Sequence, residues 1–130
     1  MIEFYLDQKS GVTPYLQLVQ QVRRAVKLGL LHDGDQLPTV KEVVGRIAIN
    51  PNTVSKAYRE LEYQGLAIAR TGVGTFVTVA PSEKSVATLG PLRRDLQRWL
   101  VRAREAGLDD ESIEALFIES FRDASSIVAS

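Results

Sequence analysis

From Pro14 to about Leu31 the apolar residues Tyr15, Leu18, Val19, Val22, Val26 and Leu30 recur at helical spacing. Gln17, Gln20, Gln21, Arg23, Arg24 and Lys27 fill the other side, so the pattern predicts an amphipathic helix with one buried stripe, ended by the turn formers of "HDGD". A second, shorter period follows in Val40, Val43, Val44 and Ile47. Thr39 and Glu42 stand at capping-box spacing before it, which predicts a helix over about Val40 to Ala48. A third stripe, Val54, Ala57, Tyr58 and Leu61, opens on Asn50 and Pro51. Asn caps free N–H groups and Pro has none to lose, while Gly65 suits the residue just past the helix end.

Beyond Gly65 the period changes. "LAIAR" alternates Leu66, Ile68 and Arg70, "TGVG" supplies a turn, and "TFVTV" is β-branched and aromatic, so a β-hairpin is expected. Residues 80–90, "APSEKSVATLG", lose all periodicity and read as a linker. Helical spacing returns in Leu92, Leu96, Trp99, Leu100 and Ala103 up to Gly107; Asp109 then caps a further helix carrying Ile113, Leu116, Phe117, Phe121 and Ala124.

The expected fold is therefore mainly α with a small β-hairpin: a winged helix-turn-helix domain over residues 1–79, a linker over 80–90 and a two-helix segment over 91–130. A pair of helices is too small to bury its own apolar faces. Leu92, Leu96, Trp99, Leu100, Ile113, Leu116, Phe117 and Phe121 are thus expected to pair with the same segment of a second chain, giving a homodimer.

Composition narrows the function. The 130 residues are 45% hydrophobic and 25% charged, with no apolar run long enough to span a bilayer, so a soluble protein without a membrane partner is expected. The opening "MIEFYLDQKSG" lacks the basic region of a signal peptide, and a cytoplasmic location follows as the expectation. The absence of cysteine excludes a thiolate nucleophile and a Cys-ligated zinc, the single His32 leaves little for an imidazole metal site or a Ser-His pair, and no metal or cofactor is expected. Asp109, Asp110 and Glu111 are accounted for by capping and the helix dipole, so the chain does not read as an enzyme. Net charge is zero, but residues 1–79 hold nine Lys and Arg against seven Asp and Glu, a balance of +2. That sign suits a polyanion.

In a helix-turn-helix the second helix offers its N-terminal residues to base edges, and here those are Asn50, Asn52 and Thr53. Asn pairs bidentately with adenine, and Thr bonds bases or touches a thymine methyl. Lys56 and Arg59, further along the outward side, suit phosphates. For any one such residue a solvated helix face is the competing explanation, and Gly72 and Gly74 serve hairpin geometry as readily as close approach to DNA. A winged helix that binds another protein, without a specific DNA target, is the alternative reading. The zero net charge favours it.

The stretch from Thr13 to Val77 contains "YLQL", "GDQLP", "NTV", "LEYQGL" and "GVGTFV" in order. It resembles the DNA-binding domain of the GntR family of bacterial transcription regulators, and the short C-terminal segment resembles that family's YtrA-type branch. The resemblance implies a DNA-binding repressor that dimerises through its C-terminal helices and regulates transporter genes, and the symmetry of such a dimer makes an inverted-repeat operator the expectation. It places DNA contacts on Thr39, Lys41, Asn50, Asn52, Thr53, Ser55, Lys56, Gly72, Val73, Gly74 and Thr75, beside the Arg59 that its outward position already offers to phosphates. Pro51 and Ser55 stand where many members carry Arg. Lys41 is then the leading candidate for a guanine contact, and Asn52 with Thr53 favours A·T pairs. The residues specify no effector.

Overall fold

Helices α1 (Pro14–Lys27), α2 (Val40–Arg46) and α3 (Pro51–Tyr63), followed by strands β1 (Ala67–Arg70) and β2 (Gly74–Val77), make up the first of two units, Met1–Val86. The second, Ala87–Ser130, holds the length of α4 (Val86–Glu105) beyond its first residue and α5 (Asp110–Ala129). The computed structural model describes residues 1–80 and 86–129.

Leu18, Val22, Leu37, Val54, Leu61 and Val77 are fully buried and bring α1, α3 and β2 onto one core; the apolar stripes read from the sequence supply it except at Leu30, beyond the end of α1, and Val44, which are exposed. The capping box of α2 is formed: the Thr39 hydroxyl accepts from the Glu42 N–H and the Glu42 carboxylate accepts from the Thr39 N–H. Asn50 caps α3, its side-chain oxygen accepting from the Asn52 N–H at 2.8 Å.

Several boundaries differ from expectation. Helix α1 stops at Lys27 rather than near Leu31, because Gly29 adopts φ 73° and the Gly29 and Leu30 N–H groups bond to the Val26 and Ala25 carbonyls. This is a Schellman end, and it can form only where the chain tolerates a left-handed residue. Gln17 and Gln21, expected in solvent, are buried. The Gln21 carboxamide pairs with both backbone groups of Tyr5 (3.1 and 2.8 Å), and that of Gln17 pairs with both of Asp7 (2.8 and 3.0 Å). Four residues of helix rise about 6 Å and two of an extended chain about 6.6 Å, so the glutamines stand in for a neighbouring strand. The arm's alternate residues Ile2, Phe4 and Leu6 then pack against the core.

In the hairpin Ala67 pairs with Val77, Ile68 with Phe76 and Arg70 with Gly74. Ala67 is the buried residue of β1 and Ile68 is exposed, one position out of phase with the expected alternation. A third extended stretch, unmarked in the sequence, flanks β2: the Gly34, Val77 and Leu37 N–H groups bond to the Val77, Asp35 and Thr75 carbonyls.

Helix α4 begins at Val86, inside the expected linker 80–90; residues 81–85 of that stretch lie outside the described ones. Gly90 and Pro91 lie inside α4; proline's φ is compatible with a helix, and its missing N–H removes the bond that Ala87 would have accepted. Gly107 (φ 92°) ends α4, and Asp109 caps α5 by accepting from the Ser112 N–H at 2.8 Å. Bonds from the Ser112 side chain and backbone hold the Asp109 carboxyl below its ordinary pKa. Ala103 and Ile113 are buried beside this turn, spanned by an Arg104–Asp110 ion pair of 3.4 Å. Leu92, Leu96, Leu116, Phe117 and Phe121 stand exposed, with Trp99 and Leu100 half-buried. Among the described residues no helix is long and apolar enough to cross a membrane.

Candidate nucleic-acid interface

The buried residues of α3 are Val54, Ala57, Tyr58 and Leu61, and this fixes which residues face away. Asn52, Lys56 and Arg59 are exposed and spaced by four and three residues, so they form a single line along the outer face. Tyr63 continues that line and is 87% exposed. Thr53 and Ser55 flank it, half-buried. The cap engages the Asn50 oxygen and leaves its amide N–H groups as donors.

Tyr58 anchors α3 from below, its hydroxyl donating to the Pro38 carbonyl just before α2. Burial, and after it the negative charge of Glu42, hold this phenol well above its ordinary pKa. The contact joins the two helices of the motif through a buried bond.

At the start of α2, Lys41 is exposed. Thr39 is exposed as well, but its hydroxyl both accepts from the Glu42 N–H and donates to the Glu42 carboxylate (3.1 Å each). A phosphate there would compete with Glu42 for the hydroxyl proton, which makes Thr39 a capping residue first.

The wing turn is closed by the Val73 N–H bonding to the Arg70 carbonyl at 2.9 Å, with Gly72 at φ 76°. Val73 is exposed at the tip, and Gly74 and Thr75 are half-buried. Gly74 sits at φ 144°, and a Cβ on it would lie 2.6 Å from Nε2 of Gln36. That nitrogen approaches the Val73 carbonyl at 3.4 Å. Both glycines are thus required by the turn itself.

Among the described residues two cations are held against aromatic rings. Nζ of Lys56 lies 4.0 Å from the centroid of the Tyr15 ring, and the Arg70 guanidinium lies 5.2 Å from that of Phe76. Tyr63 carries no sequence signal of a DNA contact, Arg70 only its position immediately before the wing turn, and the helical period puts Tyr15 on the buried stripe of α1. Tyr15 and Lys56 are 41 residues apart and nothing in a helical period links them.

The profile of the family described as "Bacterial regulatory proteins, gntR family" matches residues 14–77. The HTH-type transcriptional repressor YtrA of Bacillus subtilis is 34% identical over 113 residues, covering 83% of this chain and 84% of that protein. A solved structure described as a transcriptional antiterminator from Listeria monocytogenes is 34% identical with a TM-score of 0.60, over 94% of this chain and 92% of that one. YtrA from Sulfolobus acidocaldarius, a GntR-family transcription factor, shares the fold at 23% identity and a TM-score of 0.54, over 98% of this chain and all of that one.

Proposed function

Because this chain belongs to the GntR family of bacterial regulatory proteins, we propose that it is a transcriptional repressor that binds operator DNA as a homodimer, one α3 in each half of an inverted repeat. The observation that carries this reading is the outer line of α3. Asn52, Lys56 and Arg59 are exposed on a helix whose other side is locked into the core and whose start is capped by Asn50. Asn52 and Thr53 read A·T pairs, Lys41 reads guanine, and Lys56, Arg59 and the wing residues Gly72, Val73, Gly74 and Thr75 lie along phosphates and sugars. The dimer is supported by the apolar residues that α4 and α5 leave exposed, Leu92, Leu96, Leu116, Phe117 and Phe121 among them. Leu96, Leu100 and Phe117 line a groove between α4 and α5 with the buried Ile113 at its base, and Trp99 is half-buried on α4. Following the branch it resembles, the target is its own operon, with transporter genes in it.

A mobility shift on the DNA upstream of its own gene tests this. Affinity for that fragment should exceed affinity for a scrambled fragment and fall steeply between about 50 and 200 mM salt as condensed counterions cease to reward binding. Equal, salt-insensitive retention of both fragments would contradict DNA recognition.

A further inference from the structure

Lys56 would ordinarily reach for Glu60, four residues along the same helix. Instead Glu60 accepts from Nε2 of Gln64 at 2.9 Å, and the Lys56 ammonium lies 4.0 Å above the face of Tyr15. Tyr15 is half-buried in the first turn of α1, directly after Pro14 at the helix start, so its ring is a fixed platform. A lysine side chain is long and flexible, and ordering it on DNA costs rotamer entropy; a ring face beneath the ammonium removes part of that cost beforehand. One side of the ammonium meets the ring, and its N–H groups on the other side remain as donors.

We propose that Tyr15 is a positioning residue for the DNA contact: its ring holds Lys56 in place for a backbone phosphate, and its hydroxyl takes no part. This rests on the DNA-binding reading above. Phosphate contacts are independent of sequence, so a random-sequence duplex is a sufficient probe.

The full chain and the variants Tyr15→Phe, Tyr15→Leu, Lys56→Met and the double variant Tyr15→Leu/Lys56→Met are titrated with a labelled random-sequence duplex. Melting temperature and the Lys56 Hε chemical shift are recorded for each free protein. Tyr15→Phe should keep wild-type affinity and the upfield ring-current shift of Lys56. Tyr15→Leu should lose that shift and about two- to five-fold in affinity, the range of an exposed cation–π contact. In the Lys56→Met background the same change should cost nothing further.

Equal losses from Tyr15→Leu with and without Lys56, or a Tyr15→Phe variant as weak as Tyr15→Leu, would overturn the positioning role while leaving DNA binding standing. A Lys56 shift unaltered by Tyr15→Leu would likewise overturn it. Should Tyr15→Leu melt well below wild type, the ring-current shift and the Tyr15→Phe affinity decide alone. A wild-type chain that does not bind the duplex would overturn the functional reading itself, whatever the ring-current shift.

Discussion

Gly74 ties the wing to one residue type. At φ 144°, with Gln36 where a Cβ would stand, any larger residue strains the backbone and displaces a neighbour. Gly74→Val should therefore lower stability by about 1–3 kcal/mol and weaken DNA binding, whereas Val73→Ala at the exposed tip should leave melting unchanged. Thermal melts beside binding curves check this; an unshifted melt for Gly74→Val would refute it. On α3, Asn52→Ala and Thr53→Ala should each cost about 1–3 kcal/mol on the specific site and little elsewhere. Lys56→Ala should weaken all sequences alike and reduce the salt slope by about one. Titrations on specific and scrambled duplexes separate the two behaviours. Tyr58 supplies a pH test. Its folded pKa is raised, so the unfolded chain loses the phenol proton first, near its ordinary value of about 10. Its stabilising contribution is complete below that pH and is lost as pH rises above it. Urea melts between pH 8 and 11 should show wild-type stability falling more than that of Tyr58→Phe; parallel curves would contradict the assignment.

At the scale of elements, the strong local signals translated directly. The capping box at Thr39 and Glu42, the Asn50 cap, and Gly65 at the end of α3 each act through neighbours a few residues away, which is why the sequence displays them. What the sequence hid were long-range devices. Gln17 and Gln21 look like solvated positions until the arm is seen to need their carboxamides, and the strand-like residues 34–37 acquire their role only from β2. The first turn of α4 was hidden because residues 86–90 carry no apolar period to mark a helix. Gln21→Leu keeps the size of the side chain but leaves both backbone groups of Tyr5 unpaired, so it should destabilise the fold by about 1–3 kcal/mol and speed amide exchange at Tyr5. Exchange at Tyr5 as slow as in wild type would show that the glutamine does not hold the arm.

For the whole molecule, the candidate line of Asn52, Lys56 and Arg59 was legible because the helical period that buries Val54, Ala57, Tyr58 and Leu61 leaves those residues outward. The pairing of chains is a matter of unsatisfied surface. Leu92 is 62% and Phe121 65% exposed, and each large side chain buried contributes about 1.5–3 kcal/mol, which is the stabilisation the proposed isologous contact between two copies of α4 and α5 would draw on. A two-fold axis would then set two α3 helices about one DNA turn, or a multiple of it, apart. The most direct measurement is selection of bound sequences from a random duplex pool by the full chain and by a chain truncated after Ala80, which leaves α1 to β2 whole. The full chain should enrich an inverted repeat with half-site centres separated by about 10 base pairs or a multiple, and the truncated chain single half-sites at lower affinity. A pool from which the full chain enriches no sequence, or only unpaired half-sites, would contradict a dimeric repressor reading DNA through α3.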